Sequence, residues 1–399
     1  MLLLPVVLLI LGVPIFVILA GTSAVVLFFG DIPGAIVHQN MFGGISIFSL
    51  LAVPFFIFAG ELMGRGGMSA RLIAWALSIL GGLRGSLPLT TVAAVGRLLY
   101  PSLRDKGYTE RFSSGVVTSS GAIAIVIPPS IAMILYGVAA EEDIARLFIA
   151  GILPGLFMAL LMGVYIYMYA RAKGIQESEG FSVGTIVTTT RDGIWALGSP
   201  FIILGGIYSG WFSPTESGGV ACVYAIFVTR YIYKDIDWSG IWEVTISSAY
   251  LTAQVLIIVA AASIFSWLLT VSGVPQSVAS FITSIAADPW LVLLAINILL
   301  LIVGSVLDPN SAILVLTPLL VPVIKILGVD PIHFGIIMTV NLAIGMFTPP
   351  FGLNIFVAQA VLKAPLKSIY PGLVPFIIIN IIALMFVTYL PEMSLFLTR

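Results

Sequence analysis

Residues 118–137 read TSSGAIAIVIPPSIAMILYG, a stretch apolar enough to sit in lipid that carries adjacent prolines, Pro128 and Pro129, near its middle. Proline lacks an amide donor and its ring clashes with the preceding turn, so a helix breaks or kinks there. Hydrocarbon offers no water to the freed backbone groups. Irregular backbone survives at that depth only where protein covers it or where it lines a water-filled cavity. The segment therefore asks for a membrane protein organised around a covered break.

Composition agrees. The 399-residue chain is 60% hydrophobic and 9% charged, with a mean hydropathy of +1.15. Runs near residues 43–63, 147–170, 215–233, 242–271, 290–307 and 368–390 match the length of about 20 apolar residues that a spanning helix needs. The expected fold is all-α and polytopic; a β-barrel would show short alternating segments. A net charge of −1 gives no reason to expect nucleic acid. Cys222 is alone, which excludes an intramolecular disulfide, and with His38 and His333 it makes a poor transition-metal set. The opening stretch, MLLLPVVLLILGVPIFVILAG, lacks the basic region of a cleaved signal and reads as a retained membrane segment. Residues 171–180, RAKGIQESEG, read as a linker between halves.

The break occurs twice. Residues 341–360, NLAIGMFTPPFGLNIFVAQA, hold a second pair, Pro349 and Pro350. The same spacing that separates the two breaks also pairs Pro101 with Pro322, Gly107 with Gly328, Thr118 with Thr339, Gly151 with Gly372 and Pro154 with Pro375. This is a duplicated unit. Residues 97–111 carry four basic and two acidic side chains, whereas 318–332 hold only Lys325 and Asp330. The next junction reverses: Glu141, Glu142 and Asp143 with Arg146 in one copy, Lys363 and Lys367 with no acid in the other. Basic loops stay cytoplasmic, so 97–111 and 363–367 are expected inside, and 141–146 and 328–333 outside. Inverted repeats with interrupted helices mark secondary transporters, whose sites lie near the bilayer midplane. The repeats are expected to be 1–180 and 181–399.

Other polar residues divide between capping and function. Ser213, Pro214 and Glu216 have capping-box spacing, and Asp288 and Asp330, each before proline, read as interfacial caps. Asp308 lies in residues 299–322, LLLIVGSVLDPNSAILVLTPLLVP, with apolar limbs on both sides. A carboxylate there is a functional candidate or the N-cap of a re-entrant tip, and Asn310, Ser311 and Thr317 add oxygens. Ser119 and Ser120 either serve a site or bond to carbonyls one turn back. Asn341, at the position matching Ser120, needs a partner. His333 reads as a satisfied surface histidine. No H-E-x-x-H, phosphate loop or nucleophile–base pattern occurs, so neither ATP hydrolysis nor another enzymatic activity is expected.

The motifs GELMGRGGMSARL (60–72), IPPSIAMILYG, SPTESG (213–218) and GVDPIHFGIIMTVNLAIGMFTPPFGLNIF (328–356) resemble the large membrane subunit of tripartite ATP-independent periplasmic (TRAP) transporters over nearly the whole chain. The resemblance implies a sodium-driven importer of small organic anions such as C4-dicarboxylates, 2-oxo acids or sialic acid. It implies a bacterial or archaeal inner-membrane location, a separate small four-helix membrane subunit, a periplasmic binding protein, surrounding lipid and no organic cofactor. It also implies an elevator mechanism with two re-entrant hairpins. The family's sodium ligands map onto Gly304, Gly345, Thr348 and Phe351, with Ser119, Ser120 and Gly121 in the first half. No basic residue stands out as a carboxylate clamp, and in the resembled family the binding protein largely selects the substrate.

One departure stands out. The family carries a Ser-Gly-Ser tip before the equivalent of AAVGRLLYP, and GSLPLTTVAAVGRLLYP (85–101) has none. GELMGRGGMSARL aligns with SWLLTVSGVPQSV (266–278), pairing Leu62 with Leu268 and Gly67 with Gly273, a narrower spacing than the one that pairs Pro101 with Pro322. The first half is therefore short, by about four helical turns, between 78 and 97. At most a stunted first hairpin is expected there. Two other readings stay open: a proton-coupled exchanger with Asp308 as carrier, and a membrane scaffold without transport.

The charge pattern makes a topological prediction. Cysteines placed at Ser102 and Ser368 in a Cys222→Ala background are expected to resist a membrane-impermeant thiol reagent in intact cells. Labelling of only one of them would contradict the inverted repeat.

Overall fold

The computed structural model describes residues 3–30, 33–80, 100–175, 182–284 and 288–398. The described chain is helical throughout: α1 (Leu3–Ile10), α2 (Ile15–Phe29), α3 (Ala35–Ile45), α4 (Ala52–Arg65) and α5 (Met68–Leu80). Then come α6 (Tyr100–Asp105), α7 (Glu110–Val126), α8 (Ile131–Ala140), α9 (Ile144–Ala172) and α10 (Val183–Tyr208). Next are α11 (Pro214–Phe227), α12 (Trp238–Val271), α13 (Val274–Ser284), α14 (Pro289–Gly304) and α15 (Pro309–Ile326). The last are α16 (Pro331–Gly345), α17 (Leu353–Leu362), α18 (Leu366–Tyr389) and α19 (Glu392–Leu395).

Four helices start by one device. Ser213, Asp288, Asp308 and Asp330 each occupy an N-cap with proline next. The cap oxygen accepts an otherwise orphaned amide, and proline at the first helical position gives up a hydrogen that had no intrahelical partner. At α11 the box is complete: Ser213 Oγ accepts from Glu216 N at 3.3 Å, and the Glu216 carboxylate accepts from Ser213 N at 2.8 Å. Asp288 accepts from Trp290 N at 3.0 Å and Asp330 from Ile332 N at 2.7 Å. The three expected caps are present.

The duplication is legible in the helix ends. Helices α5 and α13 start at Met68 and Val274, each after a glycine with φ of +72° and +68°, Gly67 and Gly273. Helices α7 and α16 start at Glu110 and Pro331, and Gly107 and Gly328 before them have φ of +89° and +72°. Left-handed backbone favours glycine, so these four residues punctuate equivalent joints. The spacing between equivalent joints widens between Leu80 and Tyr100. The shortened hairpin itself, in residues 81–99, and the expected repeat boundary at 180/181 lie outside the described residues.

Helices α7 and α8 are bent by 43° at Pro128–Pro129. Their counterparts, α16 and α17, flank Pro349–Pro350, and both Pro–Pro bonds are cis. The two broken pairs run past each other in opposite directions. Asn354 Nδ2, at the start of α17, donates to the Thr118 carbonyl of α7 at 3.4 Å. Tyr136 Oη of α8 donates to the Pro331 carbonyl at the start of α16 at 2.6 Å. Lys325 and Glu142, 4.0 Å apart, bring the end of α15 beside the end of α8.

Helix α16 is the centre, buried at every residue from Ile332 to Gly345. Helices α7, α8, α9, α14, α15 and α18 pack around it or on one another, while α2, α3, α4, α10, α11 and α12 form an outer frame. Equivalent helices are unequally covered. Helix α8 buries Ala132 through Gly137 and Ala140 under α15, whereas α17 buries only Ile355 and Ala358. The counterpart of α15 in the first half would span the shortened stretch.

Some expected spans differ. The run at 290–307 is not a crossing of its own: α14 ends at Gly304 and the chain turns into α15, one hairpin. The run at 43–63 is divided, because α3 ends at Ile45 and a 3-10 turn, Phe48–Leu51, starts the crossing. The run at 215–233 closes in a π-helical turn, Val228–Ile232. His333 is not a surface residue but 2% exposed, because Asp330 caps the helix and turns its first residues into the core.

Helices α7 and α18 meet through glycines. A methyl group at Gly372 would fall on the Arg111 carbonyl, and one at Gly115 on the Gly372 carbonyl. Gly372→Val is therefore expected to cost about 1–3 kcal/mol or more through overpacking, read as a lower melting temperature in detergent. An unchanged melting temperature would show that α18 can move aside.

Candidate ion and substrate site

The hairpin of α14 and α15 turns over Ser305, Val306, Leu307 and Asp308. Its tip rests on the end of α16. A methyl group built on Gly345 would lie 2.5 Å from the Gly304 carbonyl carbon and 2.6 Å from its Cα, so the two backbones touch directly. Both glycines are buried. Each ends a helix, and the last carbonyls of a helix lack intrahelical partners. Here the following turns supply those partners, as where Thr348 N donates to the Gly345 carbonyl at 3.0 Å and Leu307 N to the Val303 carbonyl at 2.8 Å, and the two helix ends meet where no side chain intervenes.

Around them stand oxygen-bearing groups. Asp308 caps α15, one oxygen accepting from Ser311 N at 3.1 Å and the other from Ser311 Oγ at 2.5 Å. Asp308 thus takes the N-cap at the tip, one of the two readings the sequence left open for it. Asn310 is half-buried in the first turn of α15. Thr348 Oγ1 donates to the Ile344 carbonyl at 2.8 Å, which leaves its lone pairs for another partner. Ser305 Oγ donates to the Ile302 carbonyl at 2.7 Å. Phe351, also a candidate, is 58% exposed.

The first-half candidates lie on α7. Ser119 Oγ donates to the Gly115 carbonyl at 2.8 Å and Ser120 Oγ to the Val117 carbonyl at 2.8 Å, the local back-bonding open to such residues. Gly121 faces Asn354: a methyl there would be 2.9 Å from Asn354 Nδ2. Asn354 also donates its backbone N–H to the Met346 carbonyl at 2.8 Å. It ties the second break to the 118–121 stretch of the first half, so the two candidate groups share one neighbourhood. Sequence reasoning missed Asn354. An amide two residues after the glycine of TPPFG was its available signal. Asn341 finds its expected partner in Asn297, 2.6 Å away across α14. Thr317 is buried and touches Met338 Sδ at 3.6 Å rather than the tip.

Hard oxygen donors, carbonyl, hydroxyl and carboxylate, suit a hard cation such as sodium and not a soft transition metal. Among the described residues no group of His, Cys, Asp and Glu could hold a metal ion. Two cavities lie between core and frame. One of about 390 Å³ is bounded by Ile47, Phe48 and Ser213–Thr215 of the frame and by Gly137, Val138 and Glu141–Ile144 of the core. The other, about 250 Å³, lies between Gly44, Ser263 and Trp267 of the frame and Val138, Leu314 and Pro318 of the core.

Comparison with known proteins places this geometry. A family profile described as "Tripartite ATP-independent periplasmic transporter, DctM component" matches residues 2–95 and 88–393. The two overlapping matches meet inside the stretch that the repeat marks as short. The chain is 39% identical to the C4-dicarboxylate TRAP transporter large permease protein of Pseudomonas aeruginosa, over 94% of this chain and 92% of that protein. It is 36% identical to the ectoine TRAP transporter large permease of Halomonas elongata (98% and 96% covered). It is 34% identical to the 2,3-diketo-L-gulonate TRAP transporter large permease of Escherichia coli (96% and 94%). Its fold is like that of the YdaH transporter of Alcanivorax borkumensis, with a TM-score of 0.54 at 12% identity, covering 96% and 98%. MtrF of Neisseria gonorrhoeae is equally similar, TM-score 0.54 at 13% identity, covering 96% and 94%.

Gly345→Ala is expected to push the tip off α16, because the new methyl would stand against the Gly304 backbone. Limited proteolysis or thiol access at the tip should rise while the melting temperature falls by only a few degrees. Unaltered access would show that the tip does not depend on this contact.

Proposed function

Because the chain belongs to the DctM family of tripartite ATP-independent periplasmic transporters, we propose that it is the permease subunit of a sodium-coupled importer. Its substrates are small organic anions handed over by a periplasmic binding protein, and a small membrane subunit completes the complex. The observation that carries this reading is the contact of Gly304 with Gly345, which brings two helix ends together beside Asp308 and Thr348. Helix ends aimed at a midplane site are how secondary transporters replace an ion's hydration shell. The two relatives named for C4-dicarboxylate and 2,3-diketo-L-gulonate support an anionic substrate; the ectoine relative marks a wider range.

The elevator reading draws on the division of the molecule. Helices α7–α9 and α14–α18 form a core centred on α16, and cavities separate parts of it from the frame. A core that translates past a fixed frame needs an interface that is not locked by dense packing. Proton coupling through Asp308 is less favoured, because the carboxylate is held as the cap of α15.

A second reading is favoured by one observation. The first half is short by about four helical turns before Tyr100. Helix α17 leaves Leu353, Phe356 and Val357 exposed. A chain of this form would assemble as a permease scaffold but couple poorly.

Uptake into proteoliposomes with both partner proteins, in NaCl or choline chloride at fixed pH, tests both readings. The chain as it stands is expected to transport weakly. Insertion of a Ser-Gly-Ser-containing segment of about four helical turns between Val92 and Ala93 should restore sodium-driven uptake. Thr348→Val in the restored chain should weaken its sodium dependence. Full sodium-coupled uptake by the chain as it stands would overturn the second reading. Uptake indifferent to sodium in the restored chain would overturn the first.

A further inference from the structure

A polar ladder crosses the core beside the tip. Asn341 Nδ2 donates to Asn297 Oδ1 at 2.6 Å and to the Ile337 carbonyl of its own helix at 3.2 Å. Asn297 Nδ2 donates to Thr388 Oγ1 at 3.0 Å, and the Thr388 carbonyl faces His333 Nε2 at 3.2 Å. The four residues come from α14, α16 and α18, and none is more than 2% exposed. A carbonyl only accepts, so Nε2 carries a proton in this contact. His333 Nδ1 and Asn341 Oδ1 are buried without a hydrogen-bond partner. Leaving such groups unpaired in an apolar interior is costly, and well-fitted apolar side chains would pack the same seam without that cost.

Position gives the ladder its task. Asn297 lies about two turns before Gly304 on α14, and Asn341 about one turn before Gly345 on α16. The amide pair and the glycine pair are therefore successive contacts on one seam. The glycine pair has no side chain to index it, so by itself it would let α14 slide or roll. An amide hydrogen bond is directional and is satisfied in one register only. We propose that Asn297 and Thr388 are positioning residues for the tip. The ladder fixes the register of α14 against α16 and α18, and thereby the distance between the Gly304 and Gly345 backbones. This inference rests on the ion-site reading of the tip given above. Neither side chain touches the tip itself.

The test uses the full chain in proteoliposomes, in a Cys222→Ala, Val306→Cys background, since Val306 is 52% exposed at the turn. The rate of thiol modification there is measured in choline chloride and across a NaCl titration. Thr388→Val removes the hydroxyl at nearly constant volume, Thr388→Ser keeps it, and Asn297→Leu removes the amide. In choline chloride, Thr388→Val and Asn297→Leu are expected to speed modification about threefold to twentyfold, the range that one intramembrane side-chain hydrogen bond supports. Thr388→Ser should match the parent. Protection by sodium should need more NaCl by a similar factor but reach the same plateau, which a general loss of stability would not produce. Rates within about twofold of the parent in Thr388→Val and Asn297→Leu, or equal acceleration in Thr388→Ser and Thr388→Val, would overturn the positioning role. If NaCl leaves the parent's rate unchanged, the ion-site reading fails instead, and the choline comparison still decides the ladder. Should Asn297→Leu not fold, the two Thr388 variants decide it alone.

Discussion

Everything in this molecule follows from the need to satisfy backbone groups where there is no water. A helix meets that need by itself, and an interrupted helix does not. The chain interrupts two, and each interruption has backbone or amide groups packed against one side of it. Helix α16 is enclosed along its whole length, and the turn after it is held by Asn354, whose amide groups reach both Met346 and Thr118. The break of α7 is covered from its own side: a methyl at Gly151 would lie 2.8 Å from the Val126 carbonyl, so α9 approaches that break as closely as backbone allows. A glycine admits the close approach at the first break, and an asparagine ties down the second.

Two kinds of seam result. Where helices meet through glycines, as at Gly115 with Gly372 and Gly304 with Gly345, contact is close but undirected. Where they meet through polar side chains, as at Tyr136 with Pro331 or Asn297 with Asn341, contact is looser and directed. Dispersion supplies most of the attraction in the first kind and geometry most of the selectivity in the second. Between frame and core, two cavities take the place of either kind over part of the boundary.

Much of this is legible in the sequence, because it is written in local signals. The doubled prolines, the Ser-Pro and Asp-Pro starts and the paired glycines each dictate a conformation of their own few residues, and all appear where the pattern put them. The deficit in the first half is legible for the same reason: joints at Gly67 and Gly107 can be counted against Gly273 and Gly328. The ladder is not legible. Its hydrogen bonds join residues 44, 55 and 91 positions apart, and nothing near Asn297 or Thr388 distinguishes them from lipid-facing polar residues. His333 reads as interfacial because it stands three residues after a cap, whereas tertiary packing brings α18 over it. The hairpin arm reads as a span because length and hydropathy do not report where a helix turns back.

The ends of α8 and α17 carry a further consequence. Both close with a non-glycine residue in the left-handed region, Glu141 at φ +58° and Lys363 at φ +51°. The same joint has been built twice and given opposite charges. Lysine complements the partial negative charge at a helix C-terminus and glutamate opposes it. The half whose joint ends on the acidic side therefore has the less favourable terminus by electrostatics alone, with Lys325 nearby to temper Glu142. Of two copies of one structural unit, the one at Glu141 has the electrostatically weaker end.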